Sequence, residues 1–597
     1  MLARLALAGR RPQAPRRLKV AGAGPAGVKL TWAAPRGGTK AVRYLVFRDG
    51  RRIARTSRRS YTDAKARPGT RHRYHVIAVD AKGRRGSASR PVRVLVPRAA
   101  PSPFTPAAPA GPGVPATPAP SVPDRMTAAM VDRLFWRAGF GPTPAQREAW
   151  TGRSHLELVD WLLDTPPSLA PTSTPPLTGG AGNQPIDPLA SEDELVMEWL
   201  DRMQRAVNPL PERLAFFWHR HWAVSRDDGI PAPWLVAYRD RLLRFSSLPS
   251  GAPPSFRALA YEMTTVDASM SMYLNGNQNV KGRPNENYAR ELMELFCLGP
   301  KGPDGTDNYS QADVEGLAKA LTGWRLNSTA TSPDYGKVTF SPGNFEVVAK
   351  TFLGQTIPAL GRAAVAADGP ACVNRAIDVV LAHPNHAQYL VRKLWTEFIA
   401  GPIPPATLDA LCAAYTGGGF ALRPVIRGIL AHPLIFESLG EPNLIKPPVV
   451  YLVGILRQLG APMKGNYMTG ALTNMQQRPY RPPNVAGWEG GMSWLNTNTV
   501  QGRFDAVVRA QFLMYSNNAN SYPRPALVDV DGGAGESAEA VVDRAHASID
   551  RPWLSDGTRA ALLAYATAAL TATAAQRRQR FYAVQALMLG GPDGQVM

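Results

Sequence analysis

Two hydrophobic rhythms divide the chain. Between residues 17 and 97 apolar and polar positions alternate, as in Val28-Lys-Leu-Thr-Trp32, Arg43-Tyr-Leu-Val-Phe47, Arg73-Tyr-His-Val-Ile77 and Val92-Arg-Val-Leu-Val96. Period-two alternation puts one face of a strand on a core and the other in water. Asp49-Gly50 lies between two such runs. That dipeptide suits a two-residue hairpin because both positions tolerate positive φ. Turn residues recur about every 8–12 positions, which predicts a β-sandwich of about seven strands.

From residue 125 the rhythm becomes 3.6. Thr127 precedes a face of Met130, Val131, Leu134, Phe135 and Ala138, and Gly139 and Gly141 follow it. Thr143-Pro-Ala-Gln146 carries a capping box with proline at the first helical position. Ser154-His-Leu-Glu157, Ser191-Glu-Asp-Glu194 and Ser310-Gln-Ala-Asp313 repeat this kind of start. Ala387, Leu390, Val391, Leu394, Trp395 and Phe398 form one stripe, and residues 445–460, 497–515, 538–549 and 557–588 keep the helical period. Lys337-Val-Thr-Phe340 and Phe345-Glu-Val-Val348 alternate, predicting a small hairpin between helices. No fixed-period repeat is visible.

The expected architecture is multidomain. A basic tail (1–16) precedes an all-β, immunoglobulin-like sandwich (17–98), a Pro/Ala-rich linker (99–124) and a large, mainly α-helical domain with a small β insertion (125–597). The linker holds nine prolines in 26 positions. Such a spacer extends at most roughly 80 Å at ~3.1 Å per residue.

Charge sharpens this division. The net charge is +22, but residues 1–100 hold 26 Lys and Arg against three acids, Asp49, Asp63 and Asp80. The remaining residues hold 42 basic and 43 acidic groups. Affinity for an anionic polymer is therefore expected in the first hundred residues, without specific nucleic-acid recognition. With 44% hydrophobic residues the chain can build a real core. No run approaches the ~18 apolar residues of a transmembrane segment. Cys297, Cys372 and Cys412 fit neither a disulfide scaffold nor a zinc site. The apolar run of Met1–Gly9 is too short and interrupted for a signal-peptide core, and Arg10-Arg11 has no hydrophobic segment after it. Cytoplasmic residence and a start upstream of Met1 both remain open.

Three stretches could carry chemistry. In Arg213-Leu-Ala-Phe-Phe-Trp-His219-Arg-His221-Trp222, a helix separates the two histidines by about 200°, so they cannot clamp one metal as a simple pair. His221 shares a face with Leu214, Phe217 and Trp218, as a core histidine or a site residue. Asn285-Glu-Asn-Tyr-Ala-Arg-Glu-Leu-Met-Glu-Leu-Phe-Cys-Leu-Gly299 places Asn287, Arg290, Glu291 and Glu294 on one polar stripe. Two carboxylates at i and i+3 beside an arginine suit an acid/base pair, or a solvated face with internal ion pairs. Apolar flanks lead us to expect this stripe to face His221 inside the body. Finally, Trp324, Trp488 and Trp494 stand near Asn484 and Asn496 in Gly-rich loops. Exposed, these residues could bind sugar; buried, they would plug the core. There is no P-loop, Gly-x-Gly-x-x-Gly after a strand, His-Glu-x-x-His, Gly-x-Ser-x-Gly or Cys-x-x-Cys.

Trp32, Tyr44, Tyr61-x-Asp63, Pro68-Gly-Thr70, Tyr74-x-Val76 and Ala78-x-Asp80-x-x-Gly83 resemble a fibronectin type III module. Such modules are common spacers and adhesive units in bacterial extracellular proteins. Farther on, Arg133-Leu-Phe-Trp-Arg-Ala-Gly-Phe-Gly-Pro-Thr-Pro144, Phe217-Trp-His-Arg-His221, Pro284–Leu295, Ala320-Leu-Thr-Gly-Trp324, Lys350-Thr-Phe-Leu-Gly354, Arg392-Lys-Leu-Trp395 and Pro482-Pro-Asn-Val-Ala-Gly-Trp488 resemble the bacterial family called "domain of unknown function 1800". That resemblance implies export and a gene neighbourhood with a sulfatase-like or phosphatase-like protein; it supplies no activity. Phe345 and Glu346 stand where the family commonly has a His-Asp pair, which implies loss or change of any metal site held there.

Two functional readings are open. One is a non-catalytic, exported envelope protein whose basic module associates with an anionic polymer or polysaccharide and whose helical body scaffolds or binds. The other is a polysaccharide hydrolase using Glu291 and Glu294 with His221 and Arg290, or pairing one of the glutamates with Glu286 or Glu489 across a cleft. Asn287, Trp324, Asn484, Trp488, Trp494 and Asn496 are the candidate ligand contacts. No residue is assigned to a metal, and the cofactor is unknown.

Overall fold

The alternating segment forms two antiparallel sheets. Its strands are β1 (Arg16–Gly24), β2 (Gly27–Ala33), β3 (Ala41–Arg48), β4 (Arg51–Thr56), β5 (Ser60–Asp63), β6 (Arg71–Asp80), β7 (Arg85–Ala88) and β8 (Val92–Leu95). One sheet runs β1-β2-β5; the other runs β4-β3-β6-β7, with β8 also paired to β6. Val28 and Leu30 of the first sheet meet Tyr44, Val46, Tyr74, Val76 and Ala78 of the second in one buried core. Trp32 sits edge-on to Tyr44 at 5.5 Å. The hairpin at Asp49-Gly50 forms as expected, with φ of 50° and 82°. The computed structural model describes residues 12–95 and 124–597, apart from 25, 26, 38, 40, 64, 67–70, 171–183, 252, 462, 464, 466 and 516–529. Most of the basic tail, Pro68-Gly-Thr70 and nearly all of the linker lie outside the described residues.

Backbone contacts group the chain into two units, 1–116 and 117–597. The second is mainly helical around one continuous core. Thr127, Thr143, Ser191 and Ser310 each cap a helix through the side chain, as their spacing predicts. Ser154 starts a helix without a side-chain cap bond. The helical period over 557–588 resolves into Asp556–Ala568 and Ala574–Gly590, because Thr573 and Gln576 form a capping box that starts a second helix. The hairpin expected between 337 and 348 pairs differently: Val338–Phe340 pairs with Trp324–Leu326, and Lys350–Phe352 with Gln355–Ile357. A 3-10 turn at Pro342–Asn344 ends the strand before Phe345, whose side chain is fully buried, while Glu346 donates its amide to the Thr322 hydroxyl.

Helix Leu210–His221 runs through the core; all its residues except Arg220 are buried. Apolar residues around its whole circumference account for that position. Its polar exceptions are paired. Arg213 and Glu397, with side chains 1% and 7% exposed, meet at 2.5 Å and tie this helix to Asn385–Phe398. Arg133 and Arg137 of helix Ala128–Arg137 donate to carbonyls, Arg133 to Glu437 at 2.8 Å and Arg137 to Phe398 at 2.9 Å. The arginines of this motif act as clamps on the ends of other helical segments. Removing Glu397 leaves the Arg213 guanidinium buried without its counter-charge. Glu397→Ala should therefore cost roughly 3–5 kcal/mol in urea unfolding, with much of it recovered in Arg213→Met/Glu397→Leu. A loss below ~1 kcal/mol for the single variant contradicts this.

Candidate functional site

The polar stripe sits where one helix changes its winding. Asn287–Glu291 is α-helical and Leu292–Cys297 continues as a π-helix. The Leu298 amide accordingly reaches back five residues to the Met293 carbonyl at 2.9 Å. The carbonyls beyond have no helical partner and receive donors from elsewhere. Leu295 accepts from Tyr389 Oη (2.8 Å) and Lys393 Nζ (3.0 Å). Phe296 accepts from His221 Nε2 at 2.9 Å, and Cys297 from His386 Nδ1 at 2.9 Å. Leu298 accepts from Asn385 at 2.8 Å and Asn308 at 3.0 Å, and Asn308 also serves Gly299 at 2.9 Å.

These bonds fix the histidine chemistry. A carbonyl can only accept, so His221 carries its proton on Nε2 and His386 on Nδ1. Burial holds both well toward the neutral form, His386 at about 4. Burial also lowers Lys393 to about 7, with Arg220 adding to the effect. His219 turns the other way. Its Nε2 accepts the Tyr480 amide at 2.8 Å, so Nδ1 donates to Tyr238 Oη at 3.0 Å. Both nitrogens of His219 are thus in use, and burial lowers its pKa to about 3. The His-x-His pair is a two-way clamp: His221 holds the π turn and His219 holds the loop after Tyr480.

The expectation that the stripe faces His221 is corrected. His221 meets Phe296, through its carbonyl and with ring centroids 6.0 Å apart, while the stripe points outward. Asn287 is exposed, and Arg290, Glu291 and Glu294 are half-buried. The extra residue in the π turn shifts the helical phase, so a 3.6-residue wheel misplaces the residues after Leu292. Arg290 donates to Glu286 at 3.0 Å and to Gln311 Oε1 at 2.9 Å. Glu294 accepts the Tyr309 hydroxyl at 3.0 Å. Glu291 is pushed up to about 7 by burial and, next, by the adjacent Glu294. Tyr273 is raised to about 12 by burial, with Asp228 and Glu291 contributing. Two carboxyls, two phenols and a guanidinium thus share a half-open polar site. With its value raised to about 7, Glu291 is the carboxyl of this site suited to general acid chemistry.

The aromatic sugar platform is not formed. Trp324, Trp488 and Trp494 are buried. Trp324 packs against Phe340 at 5.4 Å, and Trp488 stacks on Phe216 at 6.0 Å with its face toward the His219 edge. These rings fill a core that lacks a large sheet. Asn484 Oδ1 accepts the Ala486 amide, and Asn496 Oδ1 those of Asn498 and Thr499, so both amides shape local turns. Gly487 has φ +77°, and a Cβ there would lie 2.2 Å from the Arg220 carbonyl. The loop packs on helix Leu210–His221 at a distance only glycine allows.

A second concavity was not legible in the sequence. A cleft of about 900 Å³ is lined by residues including Arg257, Leu353, Gln355, Asn374, Arg375, Asp378 and His383. Arg257 pairs with Asp378 at 2.9 Å. The cleft draws on three distant segments, which no local motif marks; the nearest signal is Leu353-Gly354, both at positive φ (47° and 69°). At the Phe345-Glu346 positions, Lys350 Nζ lies 4.3 Å from the Phe345 ring and Glu346 accepts the Gly282 amide at 3.2 Å. Among the described residues no three or more His, Cys, Asp or Glu side chains are grouped to hold a metal.

In the first unit the three acids are used internally. Asp63 accepts from Arg48 at 2.9 Å and Tyr74 at 2.8 Å. Asp80 accepts from Arg84 at 2.9 Å, and Asp49 holds the Arg73 amide at 2.8 Å beside His72. The edge strand β4 and the turn after it expose Arg51, Arg52, Arg55, Arg58 and Arg59. A strand edge this cationic also resists pairing with other chains.

Residues 133–596 match the family described as "Protein of unknown function (DUF1800)". The chain belongs to that family. The DUF1800 match spans both histidine clamps, the π turn and the Glu291–Glu294 pair. No curated protein matches the chain. Among solved structures, a fibronectin type-III domain of human fibronectin type III domain containing protein 3 is 22% identical, covering 15% of this chain and 92% of that one, with a TM-score of 0.14. The Yersinia enterocolitica family 28 exopolygalacturonase is 20% identical over 14% of this chain and 21% of that one, with a TM-score of 0.14. Titin domains A168–A170 are 28% identical over 14% and 31%, with a TM-score of 0.12.

The pKa of Glu291 has a consequence for stability. Its native carboxyl holds a proton up to about 7, whereas the unfolded chain releases it near 4.5. The native state then binds more protons between these values, so this group's contribution falls as pH rises through that window. Glu291→Gln should flatten the decline and be more stable than wild type above pH 7 in thermal melts at stepped pH. An unchanged pH slope contradicts the assignment.

Proposed function

We propose that this chain is an exported envelope protein whose first unit docks electrostatically on an anionic polymer while the helical body presents its own polar site. The carrying observation is the charge division: 26 basic against three acidic residues in the first hundred, with all three acids already engaged within the module. Sequence motifs akin to fibronectin type III, the proline-rich spacer and DUF1800 membership support an extracellular or envelope setting. The β4 edge is the natural contact: five exposed arginines there face no acid of their own sheet. Binding by such groups runs on counterion release and weakens steeply with salt. The test is full-length protein on poly(glycerol phosphate) at a series of salt concentrations. Replacing Arg51, Arg52, Arg55, Arg58 and Arg59 with Gln should make the log–log salt slope shallower by about one per arginine that meets a phosphate. An unchanged slope removes the β4 edge from the proposal, and salt-independent retention of wild type removes the mechanism.

A second reading, hydrolysis of a polysaccharide by Glu291 and Glu294, is favoured by one observation: both carboxyls stand in a half-open site where Tyr309 donates to Glu294 and burial raises Glu291 to about 7. Glu291 is the acid for the leaving oxygen, and Glu294 the base or nucleophile. His221 takes no part, because it is buried against Phe296. Activity should fall as pH rises through about 7, when the acid loses its proton. Release of reducing ends from envelope polysaccharide should be lost in Glu291→Gln and retained in Glu286→Gln, with neither variant less stable than wild type at the assay pH. Equal activity of Glu291→Gln and wild type excludes this role.

A further inference from the structure

Helix Thr497–Tyr515 is buried on one side only. Arg503, Ala506, Val507 and Ala510 are fully covered. On the other side Val500, Phe504, Val508 and Phe512 are 42%, 37%, 46% and 68% exposed. These four residues are spaced by four and form a single apolar ridge about 18 Å long at 1.5 Å per residue. No charged side chain interrupts it. Beside it runs a second row in which Asp505 and Arg509 are exposed, and among the described residues neither forms an ion pair. Arg509 lies over the Tyr467 ring, itself 49% exposed, at 5.5 Å, which widens the apolar surface.

We propose that this ridge is the interface of a two-fold dimer with a second copy of the chain. Ridges of i±4 spacing pack against one another at about −50°, which brings the middle of each ridge into contact. The flanking charges select the partner. A two-fold axis crossing the helices at residue 507 keeps the flanking row on the same side of both copies and inverts its order. Asp505 of each copy then lies opposite Arg509 of the other, so one helix supplies both halves of two identical ion pairs. Such self-complementarity is what an isologous interface requires. A different partner protein would have to bring its own acid and base in the matching order.

Sedimentation equilibrium of the full chain is the test. Wild type should be dimeric. Asp505→Arg alone and Arg509→Asp alone each place like charges across the axis and should weaken association at least about tenfold. The doubly reversed variant restores opposite charges at both positions and should return to within about threefold of wild type. Val508→Glu should be monomeric with an unchanged thermal melt. A wild-type chain that stays monomeric up to about 100 μM overturns the proposal. So does a doubly reversed variant that associates no better than the single ones.

Discussion

The body of this protein is organised around a helix end that cannot satisfy itself. The π turn ends at Cys297, which leaves the carbonyls of Leu295, Phe296, Cys297, Leu298 and Gly299 without helical donors. In a buried position each unpaired carbonyl costs about 1–3 kcal/mol, so a donor must come from somewhere. His221 comes from one helix, while Asn385, His386, Tyr389 and Lys393 come from another, and Asn308 comes from the following loop. Most of these donors are distant in sequence, so the turn and its neighbours stand or fall together. The Arg213–Glu397 pair ties the same two helices a few turns away.

That lock has a functional side. The capped end points inward and the start of the turn points outward, which presents Glu291 and Glu294 at the surface on a segment that cannot shift. Partial burial, and next the adjacent Glu294, raises Glu291. A freely moving stripe of glutamates would relax apart and titrate normally. π turns recur at functional sites because they aim side chains that an α-helix would rotate away. Here the inward histidine is the support and the outward carboxylates form the candidate site, although the sequence places all of them in motifs that look alike.

Local signals in the sequence were readable where local physics decides. The alternation around Trp32, Tyr44, Tyr74 and Val92 gave the strands, the cap positions Thr127, Thr143, Ser154, Ser191 and Ser310 gave five helix starts, and Thr497–Tyr515 matches its periodic segment end to end. Decisions made by tertiary partners were not readable. Apolar flanks carried the stripe toward His221, but those flanks are what the core takes while the stripe stays outward, and a wheel of constant winding misses the π turn. Trp488 and Asn484 have the composition of a sugar site, but the loop closes onto Arg220 and Phe216 and uses them internally. Strand pairing around Phe340 went to Trp324 instead of Phe345, because the turn at Pro342–Asn344 ends the strand first. The cleft at Arg257 and Asp378 joins segments more than a hundred residues apart and leaves no local trace.

Partial burial at the α-to-π junction, with the adjacent Glu294 adding to it, raises Glu291 to about 7, and the candidate site of the body rests on that carboxyl. The most direct measurement is a carbon-13 NMR titration of the glutamate carboxyl carbons, with Glu291 assigned by its disappearance in Glu291→Gln. The expected midpoint is at about 7 in wild type, moving toward the ordinary glutamate range in Glu294→Gln. A midpoint near 4.5 in the wild-type chain would contradict it.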